Sequence, residues 1–459
     1  MTAGWLRSLT LSLILLLSAC EQPAPPARPA PPEDAPTLLT ATLESAYAAL
    51  AKRHVTPLDL SAFTQAGLKA IGVPQLTVTA LDDGAQVGRA LARSPELADE
   101  DLQQVLETFL EAGLAATLGP IRFTSYFTVQ ELQGFDALIH GMAGVGIRVG
   151  NHPRGLVIEE VRPKSPAARA ELRTGDLILL ADGQTLGALP SLEAKASALM
   201  GKAGQTLQLT VQSEGQVRSL TLIREAQTLN QFQPEERLGT LGYVPLRLFD
   251  AKAAAHVQRG YRRLRRSGAL EGLILDLRDN GGGSVSQAQQ LLDLFLPKDA
   301  PLFQIGVPGQ TSLWQARSRA PIPADLPLVV LINANSASAS EMVAGALQDN
   351  GRAVVLGSTS FGKGSKQVIY PLPNGGGLAI TTDFIYRADG RPLSYQGIKP
   401  QVCAAQFQDP AHLIESINTA PSQGVARPCP GVERRDAHDI DLARALLTLP
   451  EAYAAVMQQ

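Results

Sequence analysis

Beyond Gly239 the chain alternates short apolar runs with helical stretches, and this alternation limits its possible folds more than any other feature. The runs are Leu273-Ile-Leu-Asp-Leu277, Pro327-Leu-Val-Val-Leu-Ile332 and Ala353-Val-Val-Leu356. A segment with so little polar alternation has no solvent face, so each run fits a strand covered on both sides. Buried strands alternating with helices predict an α/β core. Upstream the pattern changes twice. From Thr37 to about Gly141 it is helical, most clearly where Asp99 precedes Leu102, Val105, Leu106, Phe109 and Leu110 at three- and four-residue spacing. Apolar stripes of this kind are ordinarily core; left uncovered, they would make the N-terminal helices a surface for a homo-oligomer. Between about Gly144 and Glu225, runs such as Gly155-Leu-Val-Ile-Glu-Glu-Val161 and Thr206-Leu-Gln-Leu-Thr-Val211 are separated by Gly and Pro turns, which predicts a small β-rich domain. A chain of 459 residues with 45% hydrophobic content can bury about three such cores. Its 40 basic and 43 acidic residues give no electrostatic case for binding nucleic acid.

The first twenty residues carry Arg7, an apolar run from Leu9 to Leu17 and the ending Leu17-Ser-Ala-Cys20. This is a signal peptide, too short to span a bilayer as mature structure, and it predicts export. Its ending resembles a bacterial lipobox, which implies acylation of Cys20 and a lipid anchor on the periplasmic or cell-envelope side of a membrane. The alternative is a plain signal peptide with an incidental cysteine. Residues 21–36 are mostly Pro and Ala, a spacer extending about 3 Å per residue. The other two cysteines, Cys403 and Cys429, would in an oxidising compartment close a loop contributing about 3–4 kcal/mol. Otherwise they are two free thiols.

Two segments can carry chemistry. In Leu331-Ile-Asn-Ala-Asn-Ser336-Ala-Ser338-Ala-Ser340-Glu341, three alternating serines sit between an apolar strand and a helical run, where backbone N–H groups are unpaired. Ser and Ala also suit an ordinary helix start, with Ser340 before Glu341 as a simple cap. In Phe361-Gly-Lys363-Gly-Ser-Lys-Gln367 a lysine lies between glycines after a strand. A lysine buried beside a hydroxyl loses charge stabilisation and can accept the serine proton, whereas an exposed loop lysine has no such role.

Ser338-Ala-Ser-Glu341, Phe361-Gly-Lys-Gly364 and Gln367, with 25 positions between Ser338 and Lys363, resemble the active-site motifs of the C-terminal processing (tail-specific) serine protease family. The resemblance implies Ser338 as nucleophile, Lys363 as general base and Gln367 as the residue orienting the base, with no cofactor and no metal. Gly272-Leu-Ile-Leu-Asp-Leu-Arg278-Asp-Asn280-Gly-Gly-Gly283 is similar to that family's Asp-Leu-Arg-x-Asn-x-Gly-Gly block. It implies an oxyanion site built from the amides of Gly282 and Ala339; read alone, the block is a glycine turn after a strand. Gly144-Val145-Gly146-Ile147, Val161 to Ala168 and Gly175-Asp176 resemble a PDZ domain of the kind inserted in these proteases. They imply peptide binding at Gly144 to Ile147, the alternative being a β domain that binds nothing. Two stretches depart from the family pattern: Ala170-Glu171-Leu172, where the family has Ala-Gly-Leu, and Arg122-Phe-Thr-Ser125-Tyr126, where it has Asp-Pro-x-Ser-x-Tyr. The six histidines fall outside all of these blocks.

The implied organisation is a lipoprotein signal peptide (1–20), a linker (21–36), an N-terminal helical region (37–141), a PDZ-like domain (142–226) and an α/β, crotonase-like protease core with a C-terminal helical tail (227–459). The implied function is cleavage of exported proteins at or near accessible C-terminal tails. The competing reading is a noncatalytic, PDZ-containing peptide-binding lipoprotein on the same fold.

Overall fold

A computed structural model describes residues 34–118, 123–129, 131–132, 135, 142–189, 192–201, 204–227, 234–318, 320–419, 429–433 and 437–458. The expected signal peptide, Cys20 and the expected linker up to residue 33 lie outside them. The chain divides into two compact units, Gly134–Pro234 and the remainder, Met1–Gln133 with Glu235–Gln459.

The larger unit opens with α1 (Ala35–Arg53), α2 (Leu60–Ala70), α3 (Gly84–Ala92) and α4 (Leu102–Thr117). Each is capped by an aspartate, Asp34, Asp59, Asp83 or Asp101, whose carboxylate accepts a first-turn N–H. The cap of α4 is therefore Asp101 rather than Asp99, because only the residue adjoining Leu102 reaches the N–H of Gln103. Ala35 and Pro36, which composition assigns to the linker, instead open α1, where proline loses no helical hydrogen bond. Strand β1 (Ser125–Phe127) follows.

In the smaller unit, β2 (Met142–Gly144) pairs with β9 (Glu225–Gln227), closing the unit where the chain enters and leaves it. Between them lie β3 (Ile147–His152), β4 (Gly155–Val161), α5 (Pro166–Arg169), β5 (Leu177–Ala181), β6 (Gln184–Thr185), α6 (Leu192–Ser197), β7 (Thr206–Ser213) and β8 (Gln216–Ile223). The sheet order is β3-β4-β5-β7-β8, with β3 at an edge. Leu207, Leu209 and Val211 alternate inward with Ile158 and Ile178 to form its core. Glu171, which stands where the family carries glycine, adopts a left-handed φ of 57°. A side chain there costs about 1 kcal/mol, so Glu171→Gly is expected to stabilise this unit by roughly 0.5–1 kcal/mol, read as a raised urea midpoint.

The rest of the larger unit is a parallel sheet with helices on both faces. Its strands are β10 (Glu236–Leu238), β11 (Leu241–Pro245), β12 (Gly272–Asp276), β15 (Leu328–Ile332), β16 (Val354–Gly357) and β19 (Val402–Cys403), in that spatial order, with only β10 antiparallel. Leu328, Val330 and Ile332 face the cluster that contains α7 (Ala253–Arg266), α8 (Val285–Leu292) and α9 (Ala339–Asp349). Val329 and Leu331 face α10 (Pro410–Thr419), α11 (Ala437–Thr448) and α12 (Pro450–Met457), the C-terminal helical tail. An antiparallel sheet of β13 (Pro301–Val307), β14 (Gln310–Gln315), β17 (Ser365–Pro371) and β18 (Gly377–Arg387) completes the unit, and β1 pairs with β18.

The helical segment is part of this unit. Phe63, Leu106, Phe109 and Leu110 share one core with Leu378 and Ile380 of β18, so the apolar stripe of α4 is filled by this chain's own residues. The C-terminal ends of β12, β15 and β16 all lead into the segments that carry the candidate site, the usual place for a site in an open α/β sheet.

Candidate active site

Among the three alternating serines, hydrogen bonding makes a clear distinction. Ser336 Oγ donates to Leu277 O at 2.8 Å and Ser340 Oγ to Asn280 O at 2.7 Å, so both hydroxyls brace the turn. Ser338 Oγ is buried with no hydrogen-bond partner among the described residues. Ser338 also holds φ 55° and ψ −114°, a strained conformation for a residue with a side chain, at the N-terminus of α9.

Lys363 is 1% exposed, and burial lowers its pKa well below the usual lysine value against the opposing pull of Glu341. Its Nζ stands 5.1 Å from the centre of the Phe123 ring, which adds an apolar wall. The glycines on either side let the loop lie close to residues 393–395, where a Cβ on Gly364 would come within 2.2 Å of Ser394 N.

The two loops are joined by a residue that sequence reading treats as part of a helix start. Glu341 is fully buried, and its Oε2 accepts the N–H groups of both Ser338 and Lys363 at 2.8 Å. Its Oε1 accepts Ser360 Oγ at 2.5 Å and Gly362 N–H at 2.7 Å. Burial raises its pKa, and the four donors pull the other way. In Glu341→Gln an amide NH2 must face at least one backbone N–H, leaving buried donors opposed. This variant is expected to lose about 2–4 kcal/mol of stability together with activity, measured by chemical denaturation and by peptide cleavage.

Gln367 is 3% exposed, and its Nε2 donates to Ser365 Oγ at 2.9 Å and Thr381 Oγ1 at 3.2 Å. Its Oε1 is buried without a partner among the described residues. Thr381 in turn binds Thr124, so the stretch from Phe123 to Tyr126 supports the lysine side of the site. Its loose match to the family pattern is the only sequence signal for that role.

Gly282 has φ 108°, and a Cβ there would lie 2.8 Å from Ser338 Cβ and 3.1 Å from Ala339 N, so only glycine brings this turn against Ser338. Its own N–H donates to Asn280 Oδ1 at 2.9 Å. Ala339 is the first residue of α9, whose N–H has no intrahelical acceptor. The glycine turn is anchored by Asp276, which binds Arg278 at 3.0 Å, Arg247 at 2.7 Å and Tyr243 OH at 2.6 Å. Burial pushes the Asp276 carboxyl up, but the two guanidinium groups outweigh it and hold its pKa below the usual range. Arg278 also reaches Asp439 of α11 at 2.9 Å.

In the smaller unit, Val145 is buried and its carbonyl accepts Ala167 N–H at 2.9 Å, while Gly146 O accepts Arg162 N–H at 2.9 Å. Gly146 has φ 79°, and a Cβ there would meet Ser165 Cβ at 2.4 Å. The segment from Gly144 to Ile147 is therefore a tight connection running into edge strand β3. Cys403 and Cys429 are joined by a disulfide.

A family model of peptidase family S41 matches residues 240–403, and one of the PDZ domain matches residues 143–223. The chain is 30% identical over 311 residues to a carboxy-terminal-processing protease of Bartonella bacilliformis, covering 67% of this chain and 71% of that one. It is 36% identical over 250 residues to a carboxyl-terminal-processing protease of Picosynechococcus sp., covering 52% and 59%. With carboxyl-terminal-processing peptidase 2, chloroplastic, of Arabidopsis thaliana it shares 29% over 355 residues, covering 74% and 64%. The match thus spans less than two thirds of the latter two proteins. A solved photosystem II D1 C-terminal processing protease aligns with TM-score 0.40 and 26% identity, covering 74% of this chain and 92% of that one.

Proposed function

The chain belongs to the carboxyl-terminal-processing peptidases of family S41, and on that premise we propose that it is a serine endopeptidase using Ser338 and Lys363. The observation that carries this reading is the junction at Glu341, where one buried carboxylate holds the backbone of both residues. Neutral Lys363 Nζ takes the Oγ proton as Ser338 attacks the substrate carbonyl carbon. The ammonium then gives that proton to the departing amine, and water hydrolyses the acyl-enzyme. The unpartnered Gln367 Oε1 is the acceptor that orients the lysine. The oxyanion is received by the N–H of Ala339 and of Gly282, the latter exchanging Asn280 Oδ1 for the substrate oxygen. Because Ser338 and Lys363 are 0% and 1% exposed, substrate entry involves local opening.

The PDZ domain takes the substrate tail as an added strand along β3, with its carboxylate at Gly144 to Ile147. Export by the signal peptide and a lipid anchor at Cys20 would place this activity on the periplasmic or cell-envelope side of a membrane. The test is cleavage of an unfolded protein by the purified protein, with products identified by mass and Ser338→Ala as control. Products from the wild type alone support the reading; equal products from both samples, or none from either, overturn it.

A further inference from the structure

Residues Cys429 to Glu433 run alongside both loops of the candidate site. Cys403, the last residue of β19, pairs with Gly357 at the end of β16, and its disulfide to Cys429 fixes one end of the segment there. From that anchor, Cys429 O accepts Thr359 Oγ1 at 2.5 Å. Val432 N–H donates to Ser358 Oγ at 3.1 Å, and Val432 O accepts that same hydroxyl at 2.8 Å. The Val432 carbonyl also accepts Ala334 N–H at 3.0 Å. Ala334 lies four positions before Ser338, and Thr359 four positions before Lys363. One carbonyl therefore joins the two loops from outside, as the Glu341 carboxylate joins them from within.

Two weaker contacts add to these, Asn333 Nδ2 donating to Glu433 O at 3.4 Å and Cys429 Sγ lying 3.7 Å from Gly357 O. Pro430, Gly431, Val432 and Glu433 are exposed, so the segment buries little apolar surface, and hydrogen bonds open to water contribute little net stability. The covalent tether keeps it at high effective concentration beside the loops. Ser358, in contrast, is 7% exposed, and its hydroxyl is committed to Val432 on both its donor and acceptor sides.

We propose that the disulfide-tethered segment Cys429 to Glu433 is a positioning strap. Through the Val432 carbonyl it holds the nucleophile loop against the base loop, so that turnover depends on the Cys403–Cys429 bond. The proposal rests on the reading of Ser338 and Lys363 as the catalytic pair. Ser358 is then a positioning residue, acting through the strap and never on substrate. Because the central strands β12, β15 and β16 are buried throughout and do not include the strap, releasing the strap loosens loop geometry without unfolding the unit. Misplacement on the ångström scale at a catalytic pair costs on the order of 10- to 100-fold in rate.

The test compares the disulfide-intact protein, the same protein treated with a small dithiol, and the double variant Cys403→Ser/Cys429→Ser. The dithiol passes two electrons and two protons to the bond, giving two cysteine thiols and its own cyclic disulfide. Initial rates on a fluorogenic peptide give kcat and KM at a temperature where circular dichroism shows all three folded. The expected result is a kcat lower by roughly tenfold or more in the last two samples, with KM changed by less than about twofold. Reoxidation restores the wild type, and the double variant does not respond to dithiol. Ser358→Ala should reproduce part of the kcat loss, whereas Ser358→Thr, which keeps the hydroxyl, should not. An active wild type with an unchanged double variant overturns the strap alone, as does a loss that appears only where the fold melts. A disulfide-intact wild type that cleaves nothing overturns the catalytic reading itself.

Discussion

Replacing Ser338 by alanine is expected to lower peptide cleavage by about 10⁴- to 10⁶-fold while leaving the fold as stable as before. The first half follows from chemistry, since no other hydroxyl at the turn is available. Ser336 Oγ and Ser340 Oγ are both committed to backbone carbonyls. The second half follows from hydrogen bonding. Among the described residues Ser338 Oγ has no hydrogen-bond partner, so its removal strands no buried donor or acceptor there. A change in unfolding free energy within about 0.5 kcal/mol is therefore expected, alongside near-complete loss of turnover. An alanine variant that keeps more than a tenth of the wild-type rate would exclude Ser338 as the nucleophile.

Lys363→Met should match that loss of activity and, unlike the serine variant, stabilise the protein. Burial depresses the lysine pKa in the folded state. Between that depressed value and the unfolded value of about 10.4, the unfolded chain binds a proton that the folded chain does not. Wild-type stability therefore climbs with pH across this window. Below the folded pKa the full cost of burying the lysine is present. Methionine fills similar space without the charge, so at neutral pH the variant is expected to be the more stable of the two, with a higher denaturation midpoint. It should also lose the climb toward alkaline pH. Equilibrium denaturation of both proteins across the alkaline range measures this; a destabilised methionine variant would show that Lys363 contributes a structural bond instead.

Much of the architecture was legible in the sequence because the core strands are covered on both faces. The runs at Leu273, Pro327 and Ala353 became β12, β15 and β16 with ends shifted by a residue, and the run from Gly155 to Val161 is β4. What local pattern could not give were relations across long separations. Thr124 binds Thr381 some 257 positions away, so the helical segment reads as its own domain although it shares a core with β18. The choice of Ser338 among three serines comes from the resemblance, through its 25-position separation from Lys363, whereas the bonds of the other two hydroxyls to the carbonyls of Leu277 and Asn280 are visible only in the fold. Glu341 looked like a first-turn helix residue, a frequent place for glutamate, and its partners in the Lys363 loop appear only once the two loops meet. The strap is exposed and has no periodicity, so nothing local to Cys429 through Glu433 points to a role; only its partners at Ala334 and Ser358 do.

Activation of Ser338 by a neutral, buried Lys363 can be read from the pH dependence of covalent labelling of Ser338 by a fluorophosphonate, with the modified residue located by mass spectrometry. Labelling reports nucleophile activation without requiring the natural substrate. The predicted result is a single adduct at Ser338 whose rate of formation rises with pH through a midpoint clearly below the ordinary lysine value of about 10.4, and which is lost in Lys363→Met. An adduct on another residue, or labelling of Ser338 at the same rate and with the same pH profile in Lys363→Met, would contradict it.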